Sequence, residues 1–225
     1  MALTPDFVAF FKELAANNRT DWFDANRSRY KKHVKQPFDA LVEELIAGVR
    51  ERDPAVDVER KHCVFRINRD TRFSKDKTPY KLNVAAVIAP NGKKDMAYPG
   101  LYVHITPDMV WIGGGIYKTE KEVLGRIRNW MAHHPTEVHE ALRDPAFVET
   151  FGGVQGERNK RLPKDLAEAA EQHDLDILYN KGFFYMAEHE GEDVVTRPDL
   201  VEFVLHHHNQ AAAMNGLLKR AVHEA

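Results

Sequence analysis

The segment that decides the fold class is Lys61–Ala89, KHCVFRINRDTRFSKDKTPYKLNVAAVIA, because the spacing of apolar residues changes there. In KHCVFRIN (61–68), Cys63, Phe65 and Ile67 fall on one face, as in a strand buried on one side. The run YKLNVAAVIA (80–89) predicts a second strand, and the dipeptide Asn91-Gly92 after it predicts a hairpin turn. The segment therefore predicts antiparallel strands separated by a charged loop.

Helical patterns flank this strand block on both sides. Phe7, Phe10, Phe11 and Leu14 recur at the spacing of an amphipathic helix, and similar patterns continue to residue 52. After the block, TEKE from Thr119 reads as a capping box, and GFFYMAEH (182–189) as a late strand among helices. Helices, then strands, then helices predict an α+β fold, with an antiparallel, meander-like sheet of about four to six strands packed by N-terminal and C-terminal helices.

The domain organisation expected from the sequence is a single α+β domain over residues 1–225, because no change of composition marks a linker. Within it we expect a helical segment (1–52), a strand block with the basic loop (60–116) and a mainly helical remainder (117–225). A lone cysteine and the lack of an 18-residue apolar run or a basic leader predict a cytoplasmic protein with no membrane partner.

The charge is unevenly distributed, although the whole chain carries only −2. Residues 61–81 contain seven Lys or Arg and two Asp, a local excess of +5. Arginine forks suit bidentate contact with phosphate or carboxylate, and a loop at a strand end is a common place for binding groups. We therefore predict a site for a small anionic ligand formed by Arg66, Asn68, Arg69, Arg72, Lys75, Lys77, Tyr80 and Lys81.

The sequence leaves catalysis and oligomeric state open. If the site is catalytic, Asp70 is the nearest candidate base, with the cations stabilising developing negative charge. Twelve histidines form no His-x-x-x-His pair and the chain has no Cys-x-x-Cys, so we predict no metal and no cofactor. Gly113–Gly115 either let backbone N–H groups approach an anion or form a bulge beneath a large aromatic ring.

Two other functions compete with the small-ligand site. A nucleic-acid-binding module is less favoured because the pI is about 6.6; its stacking residues would be Phe73, Tyr80 and Trp111. A structural ion-pair network, or protein-interaction module without a ligand, would instead use the basic segment to dock the N-terminal helices, with Asp21, Asp24 and Asn26 as partners.

Three stretches resemble one known family. They are FRINRDTRFSKDKTPYKLNV (65–84), FFKELAANNRTDWFDANRSRY (10–30), and GLYVHI (100–105) with GGGIYKTEKEVLGRIRNWM (113–131). All three are similar to the bacterial and fungal family known as domain of unknown function 2461. The resemblance implies that the predicted binding residues, with Asp70 and Asp76, lie in the segment that defines the family. It implies no activity, substrate or catalytic residue.

Overall fold

The computed structural model describes residues 3–95 and 97–224. The elements before the first strand are α1 (Pro5–Ala16), α2 (Thr20–Ala25), α3 (Arg27–Tyr30), a π-helical turn (Lys31–Lys35), α4 (Gln36–Arg52) and α5 (Arg60–Cys63). The strands are β1 (Val84–Ile88), β2 (Gly100–Ile105), β3 (Met109–Ile116) and β4 (Phe183–Glu190), and a 3₁₀ turn spans Gly92–Lys94. The other helical elements are α6 (Lys121–His133), α7 (Pro135–Leu142), α8 (Pro145–Phe151), α9 (Lys164–His173), a 3₁₀ turn (Asp176–Tyr179), α10 (Glu192–Val195), α11 (Leu200–Gln210) and α12 (Ala212–His223).

The four strands form one antiparallel sheet in the order β1-β2-β3-β4, with helices flanking it. The predicted α+β class is therefore confirmed, and four strands lie within the predicted range. The chain divides into two compact units. The first contains the residues up to Lys93, Tyr102–Ile112 and Glu188–Leu205, and the second contains Lys94–Leu101, Gly113–Ala187 and the residues from His206 onward. The single domain expected from the sequence stays a prediction.

The first unit is built on the two longest N-terminal helices. Helix α1 begins with Pro5 at its first position, which suits proline's fixed φ, and it buries the predicted face of Phe7, Phe10, Phe11 and Leu14. Helix α4 likewise buries its apolar stripe, which consists of Phe38, Leu41, Val42, Leu45, Ile46 and Val49. Each such side chain contributes about 1.5–3 kcal/mol when fully buried, so these two faces account for much of this unit's core.

The helix has π-helical geometry over the five residues Lys31–Lys35, immediately before α4. Pro37 lies in the first turn of α4 and has no N–H to donate to a carbonyl of the preceding turn. The π turn therefore ends one residue before α4 and two residues before Pro37. This turn places Lys31 and Lys35 along the wall of the cavity described below.

The predicted strand over residues 61–68 is wrong. Residues Arg60–Cys63 form the short helix α5, and the following residues pair only through isolated antiparallel bridges, Val64 with Ala86 and Asn68 with Tyr80. The partner segment includes Pro79, which has no N–H to donate to a ladder, so regular pairing cannot extend along it. Residues 64–69 are therefore extended and hydrogen-bonded to 79–86 without forming a regular strand.

Two local predictions at turns are also wrong. Gly92 has a positive φ of 58° but begins the 3₁₀ turn, so Asn91-Gly92 does not close a tight hairpin and β2 begins only at Gly100. The expected capping box at Thr119 is absent: α6 begins at Lys121, with Glu120 as its N-cap residue and no capping side chain.

The second unit has its own hydrophobic core. The buried residues include Trp130 and Met131 of α6, Phe147 of α8, and Leu217 and Leu218 of α12, together with Phe183 and Tyr185 of β4. The late strand predicted in GFFYMAEH is confirmed as β4. No helix within residues 3–95 and 97–224 has the length and hydropathy needed to cross a membrane.

The glycine run lies inside strand β3 in this structure. A Cβ at Gly113 would overlap the carbonyl oxygen of Tyr185, and one at Gly114 would overlap the Tyr185 hydroxyl. Gly115 has φ of 83°, in the region that favours glycine. The run thus allows the aromatic strand β4 to approach closely, in agreement with the packing alternative, and it does not form the N-terminus of α6.

Candidate functional site

A cavity of about 970 Å³ lies within the first unit, at the predicted basic segment. Its walls come from the α2–α3 region, the π turn, the start of α4, helix α5, the two extended segments 64–68 and 80–84, and Lys93. The lining residues are Phe23, Arg27, Tyr30, Lys31, Lys35, Phe38, Asp39, Arg60, Lys61, Val64, Phe65, Arg66, Ile67, Asn68, Tyr80, Lys81, Asn83, Val84 and Lys93. The volume is at the upper end of the range typical of small-molecule sites.

Positive charge dominates this lining, because eight of these side chains are Lys or Arg and one is an acid, Asp39. Asp39 pairs with both Lys35 and Arg60, and the Arg60 Nε also donates to Glu43 Oε1 at 2.8 Å. Three more of the cations are also engaged: Arg27 with Asp24, Lys61 with Glu59 at 2.9 Å, and Lys93 with the carbonyl oxygen of Val64 at 2.9 Å.

Three lining cations form no ion pair and no side-chain hydrogen bond within the described part of the chain. These are Lys31, Arg66 and Lys81. Lys31 and Arg66 are exposed at the cavity, whereas Lys81 is half-buried, and the charge of Arg66 acts on Asp70 without an ion pair between them. Positive charges that are not ion-paired repel one another, so this part of the cavity favours an anion.

Lys81 is held by the backbone pairing of the two extended segments, since its N–H donates to the carbonyl oxygen of Ile67 at 2.8 Å. Its Nζ lies 5.4 Å from the centroid of the Phe65 ring, in cation–π range. Burial lowers the pKa of the Lys81 ammonium, and the nearby charge of Arg66 lowers it further. Both causes disfavour the charged form of a lysine.

The floor of the cavity is aromatic and rigid. Tyr80 is buried and stacks on Phe23 with a centroid distance of 4.0 Å. The Asn18 side chain fixes the Tyr80 backbone from both sides: its Nδ2 donates to the Tyr80 carbonyl at 2.9 Å, and its Oδ1 accepts from the Tyr80 N–H at 3.1 Å. The N-terminal helices are thus docked on the basic segment through Asn18 and Phe23.

Tyr30 adds a polar group to the aromatic wall. Burial raises the pKa of its phenol to about 12, with a further contribution from the negative charge of Asp39. The hydroxyl therefore keeps its proton at neutral pH and can donate a hydrogen bond. Asn68 and Asn83 supply amide groups on the opposite segments of the lining.

The rest of the predicted binding set lies on the connecting loop and does not line this cavity. Arg69 pairs with Asp76 and with the Thr78 hydroxyl, and Arg72 forms a bidentate pair with Asp70 at 3.0 and 2.7 Å. Two lysines complete the loop: Lys77 donates to the Thr71 carbonyl at 2.8 Å, and Lys75 is exposed.

The loop carboxylates are poor candidates for a base. Hydrogen bonds from the Arg72 side chain, then from its backbone, hold the pKa of Asp70 below its usual value. The pKa of Asp76 is lowered to about 2, first by the Thr78 backbone N–H, then by Arg69 and the Thr78 hydroxyl. The structure therefore places Asp70, the predicted candidate base, in an ion pair outside the cavity.

The structure divides the predicted set into two groups. Arg66, Asn68, Tyr80 and Lys81 line the cavity, and Arg69, Arg72, Lys75 and Lys77 lie on the loop. Sequence reasoning missed most of the cavity's cations, which are Arg27, Lys31, Lys35, Arg60, Lys61 and Lys93. One signal was present: Arg27, Lys31 and Lys35 recur at every fourth residue, which places them near one face of a helical segment.

The residues expected to take part in an ion-pair network form no ion pair or side-chain hydrogen bond with the basic segment, and two of the three expected to stack on bases are not freely exposed. Asp21 pairs with Arg19 and Asp24 with Arg27, while the Asn26 side chain donates to the Trp22 carbonyl, so these residues bond within their own helical segment. Of the three proposed stacking residues, only Phe73 is freely exposed. Tyr80 is buried, and the half-buried Trp111 packs edge-on against His104.

Within residues 3–95 and 97–224, no group of three or more His, Cys, Asp or Glu side chains is placed so that it could hold a metal ion. No curated protein and no solved structure matches the chain. A family model does match: it covers residues 6–216 and is described as conserved hypothetical protein, DUF2461. The matched span includes every residue of the cavity and of the loop, so the resemblance is confirmed and the chain belongs to the DUF2461 family.

Proposed function

We propose that the cavity binds a small ligand that carries a phosphate or carboxylate group. One observation supports this most directly: eight cations and one acid line a single concave site, and Lys31, Arg66 and Lys81 have no carboxylate partner among the described residues. The two loop arginines, Arg69 and Arg72, are paired with Asp76 and Asp70, whereas these three cavity cations are not paired within the described part of the chain. An anionic ligand would supply the missing counter-charge.

The physical basis of the proposal is the electrostatic repulsion between the cations that line the cavity. Unit charges 4 Å apart interact by about 1 kcal/mol in bulk water and about 4 kcal/mol near a protein surface, so cations converging in a cavity repel appreciably. An anion bound there removes the repulsion and gains charge-assisted hydrogen bonds, each of about 1.5–3 kcal/mol. The guanidinium of Arg66 can contact two oxygen atoms of a phosphate or carboxylate at once.

The lining also indicates a ligand with an organic body. Phe65, Val64 and the Tyr30 ring provide apolar contact, and the Asn68 and Asn83 amides are suited to hydroxyl or carbonyl groups. A cavity of about 970 Å³ accommodates a metabolite of this composition. A phosphorylated or carboxylated metabolite therefore fits better than a bare inorganic ion.

The test is a thermal-shift screen of the wild type against pyrophosphate, glycerol 3-phosphate, citrate and a short oligonucleotide at low and high salt. A ligand at 100 times its Kd stabilises by about 2.7 kcal/mol, which is roughly 5–11 °C for a chain of this size. Arg66→Ala should abolish the shift, and Arg72→Ala, which removes an arginine from the same segment, should retain it. Loss of the shift in both variants, or in neither, would contradict a site at the cavity.

The proposal requires binding only, and any catalytic step would be additional to it. The sequence leaves the reaction and the oligomeric state open, and the proposal depends on neither. The cytoplasmic location expected from the sequence stays a prediction.

A further inference from the structure

We propose that Lys81 is a nucleophilic amine that forms an imine with a carbonyl group of the anionic ligand. The inference rests on the proposed function and deepens it, because it narrows the ligand class to aldehydes, ketones or keto acids that carry a phosphate or carboxylate. It assigns a chemical role to one side chain of the cavity, while the remaining cations hold the anion.

Lys81 differs from the other lysines of the cavity in its surroundings. Lys35 pairs with Asp39, Lys61 pairs with Glu59, and Lys93 donates to backbone carbonyl oxygens. Lys31 is unpaired within the described residues but exposed. Lys93 is also partly buried, but its ammonium is hydrogen-bonded to those carbonyl oxygens, so among these five lysines Lys81 alone combines partial burial with the lack of any ion pair or side-chain hydrogen bond in residues 3–95 and 97–224.

Burial and the neighbouring charge of Arg66 disfavour the charged form of Lys81, whereas the Phe65 ring, whose centroid lies 5.4 Å from Nζ, attracts the ammonium. On the other side, burial and then the charge of Lys81 lower the pKa of His104. His104 is half-buried, its Nδ1 lies 2.9 Å from the Tyr102 hydroxyl, and its ring packs against Trp111. A lysine that is desolvated or placed next to another cation has a larger fraction of neutral amine, which is the reactive form.

The step is balanced without any co-reactant. The Lys81 nitrogen lone pair attacks the carbonyl carbon and forms a carbinolamine. Loss of one water molecule, which carries the carbonyl oxygen and the two amine protons, then leaves a carbon–nitrogen double bond. Arg66 and the other cations would hold the phosphate or carboxylate, so that the carbonyl is presented to the amine at a high effective concentration.

The experiment compares two ligands that differ only at the reacting carbon, glyceraldehyde 3-phosphate and glycerol 3-phosphate. The protein is incubated with the aldehyde, the imine is reduced with sodium borohydride, and the modified peptide is identified by mass spectrometry. Borohydride delivers hydride to the imine carbon and water protonates the nitrogen, giving a stable secondary amine. We expect labelling at Lys81 roughly tenfold or more above that at the loop lysines Lys75 and Lys77.

Two variants and one competitor control the result. Lys81→Arg should lose the label while remaining folded by circular dichroism, Lys77→Arg should keep it, and excess glycerol 3-phosphate should suppress it. If glycerol 3-phosphate stabilises the wild type but Lys81 is labelled no more than Lys75 and Lys77, the imine is refuted and the anion site stands. If glycerol 3-phosphate neither stabilises the protein nor suppresses labelling, the proposed anion site fails at this ligand, and with it the inference.

Discussion

Two groups of cations from the same stretch of sequence end in opposite environments. Arg66 and Lys81 line a cavity and have no carboxylate partner among the described residues, whereas Arg69 and Arg72 are paired with acids of their own loop. All four lie within sixteen residues of one another. The difference shows that the density of charge in a segment does not indicate which charges are available to a ligand.

The physical reason is competition for a small number of acids. Asp70 and Asp76 are the only acids of residues 61–81, and Arg72 and Arg69 pair with them. Arg66 lies four residues from Asp70 in the sequence but forms no ion pair with it. The folded cavity adds cations from other segments but only one lining acid, so Arg66 and Lys81 are left without a carboxylate partner within the described residues.

The largest expected effect is a crossover between two double variants. Arg66→Gln/Lys81→Gln should weaken binding of the best anion from the screen by roughly 10–10²-fold, because the charge-assisted contact of Arg66, of about 1.5–3 kcal/mol, is lost. Without ligand the same variant should unfold at equal or higher urea, because repulsion in the cavity is relieved. Isothermal titration calorimetry and urea unfolding provide the two measurements.

The matched variant Arg69→Gln/Arg72→Gln should behave in the opposite way. It removes two charges from the same segment, so anion affinity should stay close to that of the wild type, and resistance to urea should fall because Asp70 and Asp76 lose their partners. Equal loss of affinity in both double variants would show that the loop cations bind the anion as strongly as the cavity cations do, and would refute this prediction.

The next effect concerns how the cavity floor is held. Asn18→Ala removes two part-buried hydrogen bonds to the Tyr80 backbone and should lower the free energy of unfolding by about 1–3 kcal/mol. Asn17→Ala is the control, because the Asn17 side chain makes only an exposed bond to the Glu13 carbonyl, and its effect should stay within about 0.5 kcal/mol. Urea unfolding of the two variants measures this difference, and equal effects would show that Asn18 does not dock the helices.

Most of the fold could be predicted from periodicity. The apolar faces of α1 and α4 and the late strand β4 were visible because helix and strand spacing reflect burial directly. The strand expected at 61–68 was not formed, because alternation of side chains says nothing about the partner, and Pro79 in the partner segment cannot sustain a ladder.

The candidate site was located only in part. The basic segment correctly marked one wall of the cavity, through Arg66, Asn68, Tyr80 and Lys81. Arg60 and Lys93 could not be assigned from the sequence, because nothing local connects them to that wall. The every-fourth-residue spacing of Arg27, Lys31 and Lys35 was informative, but its significance depends on the π turn that orients it.

A smaller effect is expected in the loop when the pH is lowered, because the ion pair between Arg69 and Asp76 is then lost. The pKa of Asp76 is lowered to about 2 in the folded protein, so its ion pair and hydrogen bonds are present above its ordinary pKa of 3.8 and are lost as pH falls toward 2. An NMR titration should give a midpoint near 2 for this carboxyl group. Thr78→Ala should raise that midpoint by removing the hydroxyl donor while keeping the backbone N–H. A midpoint near 3.8 in the wild type would show that the loop network does not persist in solution.

The smallest effect is expected at Phe73, at the tip of the loop. Its side chain is 96% exposed and contacts Arg72 at 5.8 Å from the ring centroid, so Phe73→Ala should change the free energy of unfolding by no more than about 0.5 kcal/mol. Binding of a small anion in the cavity should also be unchanged, because Phe73 does not line it. Urea unfolding and isothermal titration calorimetry of Phe73→Ala, run beside the double variants, measure its stability and its anion affinity.

Phe73 also decides between the cavity and the nucleic-acid alternative. Stacking of one base on an aromatic ring contributes about 1–3 kcal/mol, so a protein that used this loop on single-stranded nucleic acid would lose roughly 5–150-fold in oligonucleotide affinity on Phe73→Ala. That loss, if accompanied by a steep salt dependence and by sensitivity to Arg69→Gln/Arg72→Gln, would move the functional surface from the cavity to the loop. Because the two loop arginines, Arg69 and Arg72, are already paired with Asp76 and Asp70, we expect no such loss, and the exposed ring then has no part in anion binding.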